Sequence, residues 1–96
     1  MKAAIGTPNA VGRFAERAEK DAIAQTDLST RHKQLLQAFT LYATAADRAR
    51  KEGWPDDAWK HWRYRRASLA RSLAEEGMMQ QVADAYREVL NQETSR

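Results

Sequence analysis

The sequence predicts an all-α protein, a small antiparallel bundle of about four helices with short connections, and three observations predict it. Alanine, the best helix former, occurs eighteen times in 96 residues, whereas Val and Ile, which favour strands, total five. Apolar residues recur at i, i+3, i+4 and i+7, and no stretch alternates apolar with polar long enough to suggest a strand. The candidate connections are short, which makes neighbouring helices antiparallel. A chain of 96 residues is expected to form a single domain over 1–96.

Thr7-Pro8 reads as a helix cap followed by proline at the first helical position, so the first helix is predicted over 8–25. Its apolar face, Val11, Phe14, Ala15, Ala18 and Ala22, is narrow, and Gly12 weakens it further. This helix is the one expected to fray or to need a partner. Thr26-Asp27-Leu28-Ser29 supplies capping side chains for a second helix over 29–52, whose stripe is Leu35, Ala38, Phe39, Tyr42, Ala45, Ala46 and Ala49. Gly53 fits the left-handed stop position, and Trp54-Pro55 leads into a third helix over 55–76. Asp56 and Asp57 favour the positive end of that helix, and Trp59, Trp62, Leu69, Ala70 and Leu73 form its predicted buried face. Gly77 ends it. A fourth helix over 78–91 is predicted to bury Met79, Val82, Ala83, Tyr86, Val89 and Leu90, and residues 1–6 and 92–96 are predicted to be loose.

Charge is uneven along the chain. The net charge is +3, yet the window from Arg48 to Arg71 carries eight basic and three acidic residues and is +5 by itself. Within that window Lys60, Arg63, Tyr64, Ala67 and Arg71 share one helical face, with Arg65 nearby. Cations interleaved with an aromatic suit nucleic-acid binding: Lys60, Arg63, Arg65 and Arg71 to phosphates, Tyr64 to a base. The same basic patch is also what a solvated face looks like, with long basic stems covering tryptophan edges. Arg66 falls inside the apolar stripe, where it must stack on Trp59 or Trp62 with an acid such as Asp47, or face an open groove or interface. Trp59 and Trp62 read as core, and Trp54, in the turn, as a contact for a protein partner.

Leu69, Ala70, Leu73, Gly77, Val82, Tyr86 and Val89 resemble a single tetratricopeptide-type repeat over about a third of the chain. One repeat length earlier Arg48 and Glu52 stand where small and aromatic residues belong, so there is no second copy. The turn around Gly77 is also similar to that of a helix-turn-helix DNA reader, but it lacks the apolar residue before the glycine, and the helix before it is too long.

Catalysis has little to work with, and no enzyme is expected. The absence of Cys excludes disulfides, thiol nucleophiles and the Cys-containing zinc sites, and it fits a reducing, cytoplasmic compartment. His32 and His61 are far apart, no helix carries a metal-binding His pair, and the four glycines form no phosphate-cradling loop. No metal, cofactor or small-molecule substrate is expected, nor any leader or membrane span. Two functions from different classes remain. One is a nucleic-acid-binding helical protein, a small subunit of a larger nucleoprotein complex. The other is a protein-protein interaction module, an adaptor or homodimer, using Trp54 and Arg66.

Overall fold

Thr7 opens the first helix as a residue before proline should. In the computed structural model, which describes residues 7–94, its hydroxyl accepts a hydrogen bond from the Ala10 amide at 3.2 Å. Residues 1–6 and 95–96, expected to be loose, lie outside the described residues. Helix α1 runs Pro8–Ile23, and its last turn tightens through the Ala24 and Gln25 amides, so it stops short of the predicted Gln25. Its buried face is Pro8, Val11, Gly12, Ala15, Glu19 and Ala22. Val11, Ala15 and Ala22 are buried as predicted and Ala18 is half-buried, but the face is turned slightly from the predicted one: Phe14 is 52% exposed, while Glu19 is only 8% exposed.

Two contacts cause the turn. Gly12 lies against the indole of Trp62, so closely that a β-carbon there would come within 2.6 Å of the ring. Glu19 accepts a hydrogen bond from the Tyr42 hydroxyl at 2.7 Å and pairs with Arg65. Gly12, which weakens α1 on paper, is therefore one of the two residues that set its docking, with Glu19 the other. The helix packs within this chain.

Helix α2, Leu28–Lys51, begins at Asp27, whose carboxylate accepts from the Thr30 hydroxyl at 2.7 Å and the Thr30 amide at 2.9 Å. These bonds, the hydroxyl's first, hold the Asp27 carboxyl below its usual value. Every residue of the predicted stripe is buried, and Ala43 and Asp47 join them. The burial is wide because α2 touches each of the other three helices. Burial pushes the Tyr42 phenol up to about 12, with the Glu16 charge adding to the effect.

Both later turns are glycine stops. Gly53 (φ +80°) and Gly77 (φ +86°) take the left-handed conformation that L side chains avoid. In the first, the Gly53 amide bonds to Arg50 O and the Trp54 amide to Ala49 O; in the second, Gly77 bonds to Ala74 O and Met78 to Leu73 O. The residue after each glycine, Trp54 or Met78, folds back onto the core, as this type of cap favours.

Helix α3, Asp56–Glu75, buries Trp59, Trp62, Leu69 and Leu73 as predicted, with Ala70 half-buried. Helix α4, Met79–Thr94, departs further from expectation. Of its predicted apolar face only Val89 is fully buried; Val82 and Tyr86 are half-buried, Ala83 is exposed, Met79 is 67% exposed and Leu90 39%. The helix also continues through Thr94, so residues 92–94 are not loose. Glu93 is buried and takes the Arg48 guanidinium in a two-pronged pair, Nε to Oε1 at 3.0 Å and the terminal nitrogen to Oε2 at 3.2 Å. Lys51 Nζ also donates to the Glu93 carbonyl at 2.6 Å. A partner 45 residues away in sequence thus orders the last turn. Among the described residues no helix is long and apolar enough to cross a membrane.

Candidate functional site

The basic window loses most of its charge to carboxylates that lie outside it. Arg48 is held by Glu93, Arg50 by Asp47 at 2.9 Å, and Arg65 by Glu19. Lys51 lies 3.5 Å from Asp47, and Lys60 lies 3.4 Å from Asp57. Glu19, Asp47 and Glu93 are distant from or just outside 48–71 in sequence, so a linear count cannot see them. Among the described residues, three cations of the window remain without a carboxylate: Arg63, Arg66 and Arg71.

The predicted site residues therefore separate into four groups. Lys60, Arg63, Tyr64 and Arg71 do lie exposed on the outer side of α3, Tyr64 being 68% exposed. A shallow depression of about 570 Å³ between Lys60, His61, Arg63, Tyr64 and Ala67 marks that face. Arg65 points the other way and is part of the α1–α2–α3 joint, so it is not a candidate for phosphate contact. Trp54 is not a free surface ring: it is half-buried, its ring centroid 5.9 Å from that of Trp62, and its Nε1 donates to Glu52 at 3.3 Å.

Arg66 takes neither predicted stacking partner. Its guanidinium lies 5.3 Å from the ring centroid of Tyr86, on α4, while Arg63, one turn from Trp59 on the same helix, lies 5.0 Å over that indole. Asp47, proposed as the acid for Arg66, is occupied by Arg50 instead. A guanidinium resting on an aromatic face still has its N–H donors around its edge. Neither Arg63 nor Arg66 spends them on a side chain or carbonyl among the described residues.

Those two arginines stand at one end of an open furrow between α3 and α4. Its apolar stretch, about 240 Å³, has Phe39 at its base, Ala67 and Ala70 on the α3 side, and Val82, Ala83 and Tyr86 on the α4 side. Phe39 and Tyr86 meet edge to face at 6.2 Å. It shares Arg66 and Tyr86 with a second hollow of about 350 Å³, lined also by Asp47, Arg50, Arg63, Trp59 and Leu90. Trp59 is 6% exposed and its indole N–H has no hydrogen-bond acceptor. Ala83, Tyr86 and Leu90 line these hollows and, with the exposed Met79 on the same helix, recur at i, i+4, i+7 and i+11, a seam of the kind one helix offers another. The sequence did mark these residues as apolar, but assigned them to the interior.

The remaining titratable groups are structural in placement. His32 Nε2 pairs with Glu76 Oε1, joining the start of α2 to the end of α3 and placing a partner on a carboxylate that the helix C-terminus disfavours. His61 leans on the Trp62 ring at 5.0 Å. Among the described residues no group of three His, Asp or Glu side chains is placed to hold a metal ion. A further hollow of about 400 Å³ lies between α1 and α2, beside Phe14, Ala18 and Leu41.

The furrow and its arginines form an amphipathic cleft between two helices. No family model, curated protein or solved structure matches this chain.

Proposed function

We propose that this protein is a non-catalytic, cytoplasmic interaction module that receives a helical segment of a partner protein in the furrow between α3 and α4. One observation carries the reading: α4 leaves Met79, Ala83 and Leu90 exposed at helical spacing, with half-buried Tyr86 among them, on the helix that walls a furrow floored by Phe39. Apolar surface arranged at helical spacing along a groove is what helix-in-groove recognition uses. The scattered histidines and the paired carboxylates favour binding over chemistry.

The test is selection of helical peptides from a displayed random library on the full chain. Selected peptides should lose binding when Ala70→Glu or Ala83→Glu places a charge in the furrow, while circular dichroism stays unchanged. Peptides that bind both variants as tightly as the parent chain would refute the furrow as the docking surface.

A second reading retains the outer face of α3, where Lys60, Arg63, Tyr64 and Arg71 are all exposed. Nucleic-acid binding there should weaken steeply between two salt concentrations and fall in a Lys60→Ala, Arg63→Ala, Arg71→Ala chain. With so few cations left unpaired, this reading is the weaker of the two. Equal binding of a single-stranded oligonucleotide by parent and triple variant would end it.

A further inference from the structure

The furrow has two unlike ends, and the difference describes its occupant. Near Ala67, Ala70 and Ala83 it is apolar. Where α3 begins and α2 and α4 approach their ends, it opens on Arg50, Arg63 and Arg66, with Asp47 as the single carboxylate; its Oδ1 takes Arg50, and its Oδ2 is buried with no hydrogen-bond donor, 3.5 Å from Lys51 Nζ. Arg63 and Arg66 thus rest on Trp59 and Tyr86 beneath them, and no anion among the described residues meets their N–H edges. Stacking restricts the swing of each side chain, so less freedom is lost when a ligand engages them. Buried beside them is the Trp59 N–H, which also lacks an acceptor.

Resting on the docking reading above, we infer that the partner segment carries an acidic side chain at one end of its apolar face, and that its carboxylate seats between Arg63 and Arg66. A carboxylate matches the planar fork of a guanidinium and accepts two parallel bonds from it. The pair also fixes direction, since a segment bound the other way round would leave its carboxylate against alanines. The partner is therefore a helix with apolar residues on one face and Asp or Glu one to two turns beyond them, towards the α3 N-terminus.

The same displayed library tests this. Binders should be enriched in Asp or Glu at one end of an apolar seam. In a synthetic binder, replacing that Glu by Gln should weaken affinity roughly tenfold or more, as expected for a charge-assisted hydrogen-bonded pair. Arg63→Gln and Arg66→Gln chains should bind the Glu and Gln peptides alike, with their melting curves unchanged. If Glu and Gln peptides bind the parent chain equally, yet Ala83→Glu abolishes both, the furrow reading stands and the carboxylate seat is overturned. If Ala83→Glu affects neither, both fall. An oligonucleotide that displaces the Glu peptide, or a dimer of the free protein that Arg66→Gln dissolves, would assign these arginines to a different occupant and overturn the inference.

Discussion

Helix α3 meets its neighbours in two contrasting ways. On the side of α1 the joint is closed: Trp62 fills the space that a side chain at Gly12 would need, and Glu19 is shared by Tyr42 and Arg65. On the side of α4 the joint is open: arginines lie over rings with no carboxylate to meet them, and Met79 and Leu90 stay in water. By sequence the order should be reversed, because α4 has the richer apolar face. The contrast teaches that a rich apolar face does not ensure satisfied polar neighbours: α1 packs chiefly on α2 and reaches α3 through Gly12 and Glu19, yet its polar groups there are paired. It also places the spare apolar surface on the side of the proposed docking furrow.

The sharpest way to break the comparison is to open the closed joint. Glu19→Ala strands a buried phenol and a half-buried guanidinium and should cost about 2–3 kcal/mol, read by denaturant titration. A loss under about 0.5 kcal/mol would show that shape alone holds α1. The Tyr42 phenol gives a pH counterpart. It ionises near 10 when unfolded and at about 12 when folded, so the folded state binds the extra proton between those values. Stability is then complete below pH 10 and declines as pH rises towards 12, a dependence that Tyr42→Phe should remove from thermal melts.

Next in size is the clamp on the open side. Glu93→Ala should cost about 2 kcal/mol by leaving Arg48 without its two-pronged partner, with hydrogen exchange speeding first in the last turn of α4. Gly12→Ala should cost about 1–2 kcal/mol through overpacking against Trp62, although alanine in a helix normally stabilises by about 1 kcal/mol. Smallest of all, Met79→Gln with Leu90→Gln should change stability by less than about 0.5 kcal/mol while weakening any selected peptide. A large destabilisation there would make the seam part of the fold and dissolve the contrast.

The sequence disclosed what repeats locally. The α2 stripe, the proline start after Thr7 and the two glycine stops are each set by neighbours within a few residues, and all stand as read. What it concealed depends on partners far along the chain. Gly12 looked like a weakness because the indole that fits it is fifty residues later. Nothing local marks Glu19 or Glu93 as partners, and Asp47 is expected beside Arg66; their pairing with Arg65, Arg48 and Arg50 respectively is what shrinks the basic window. For the candidate site, Arg66 is visible in the sequence as an anomaly in a periodic stripe and Arg63 as one cation of the basic face. Their shared position at the end of a furrow is not, because it needs the approach of α2 and α4.

The seating of Trp62 over Gly12 has an optical consequence. An indole enclosed by packed side chains emits at shorter wavelength than one in water, so this ring reports whether α1 is in place. In a chain with Trp54→Phe and Trp59→Phe, a red shift of emission that precedes the loss of helical ellipticity would record the first helix lifting away while the rest stays folded. The protein thus contains its own gauge of which joint opens first.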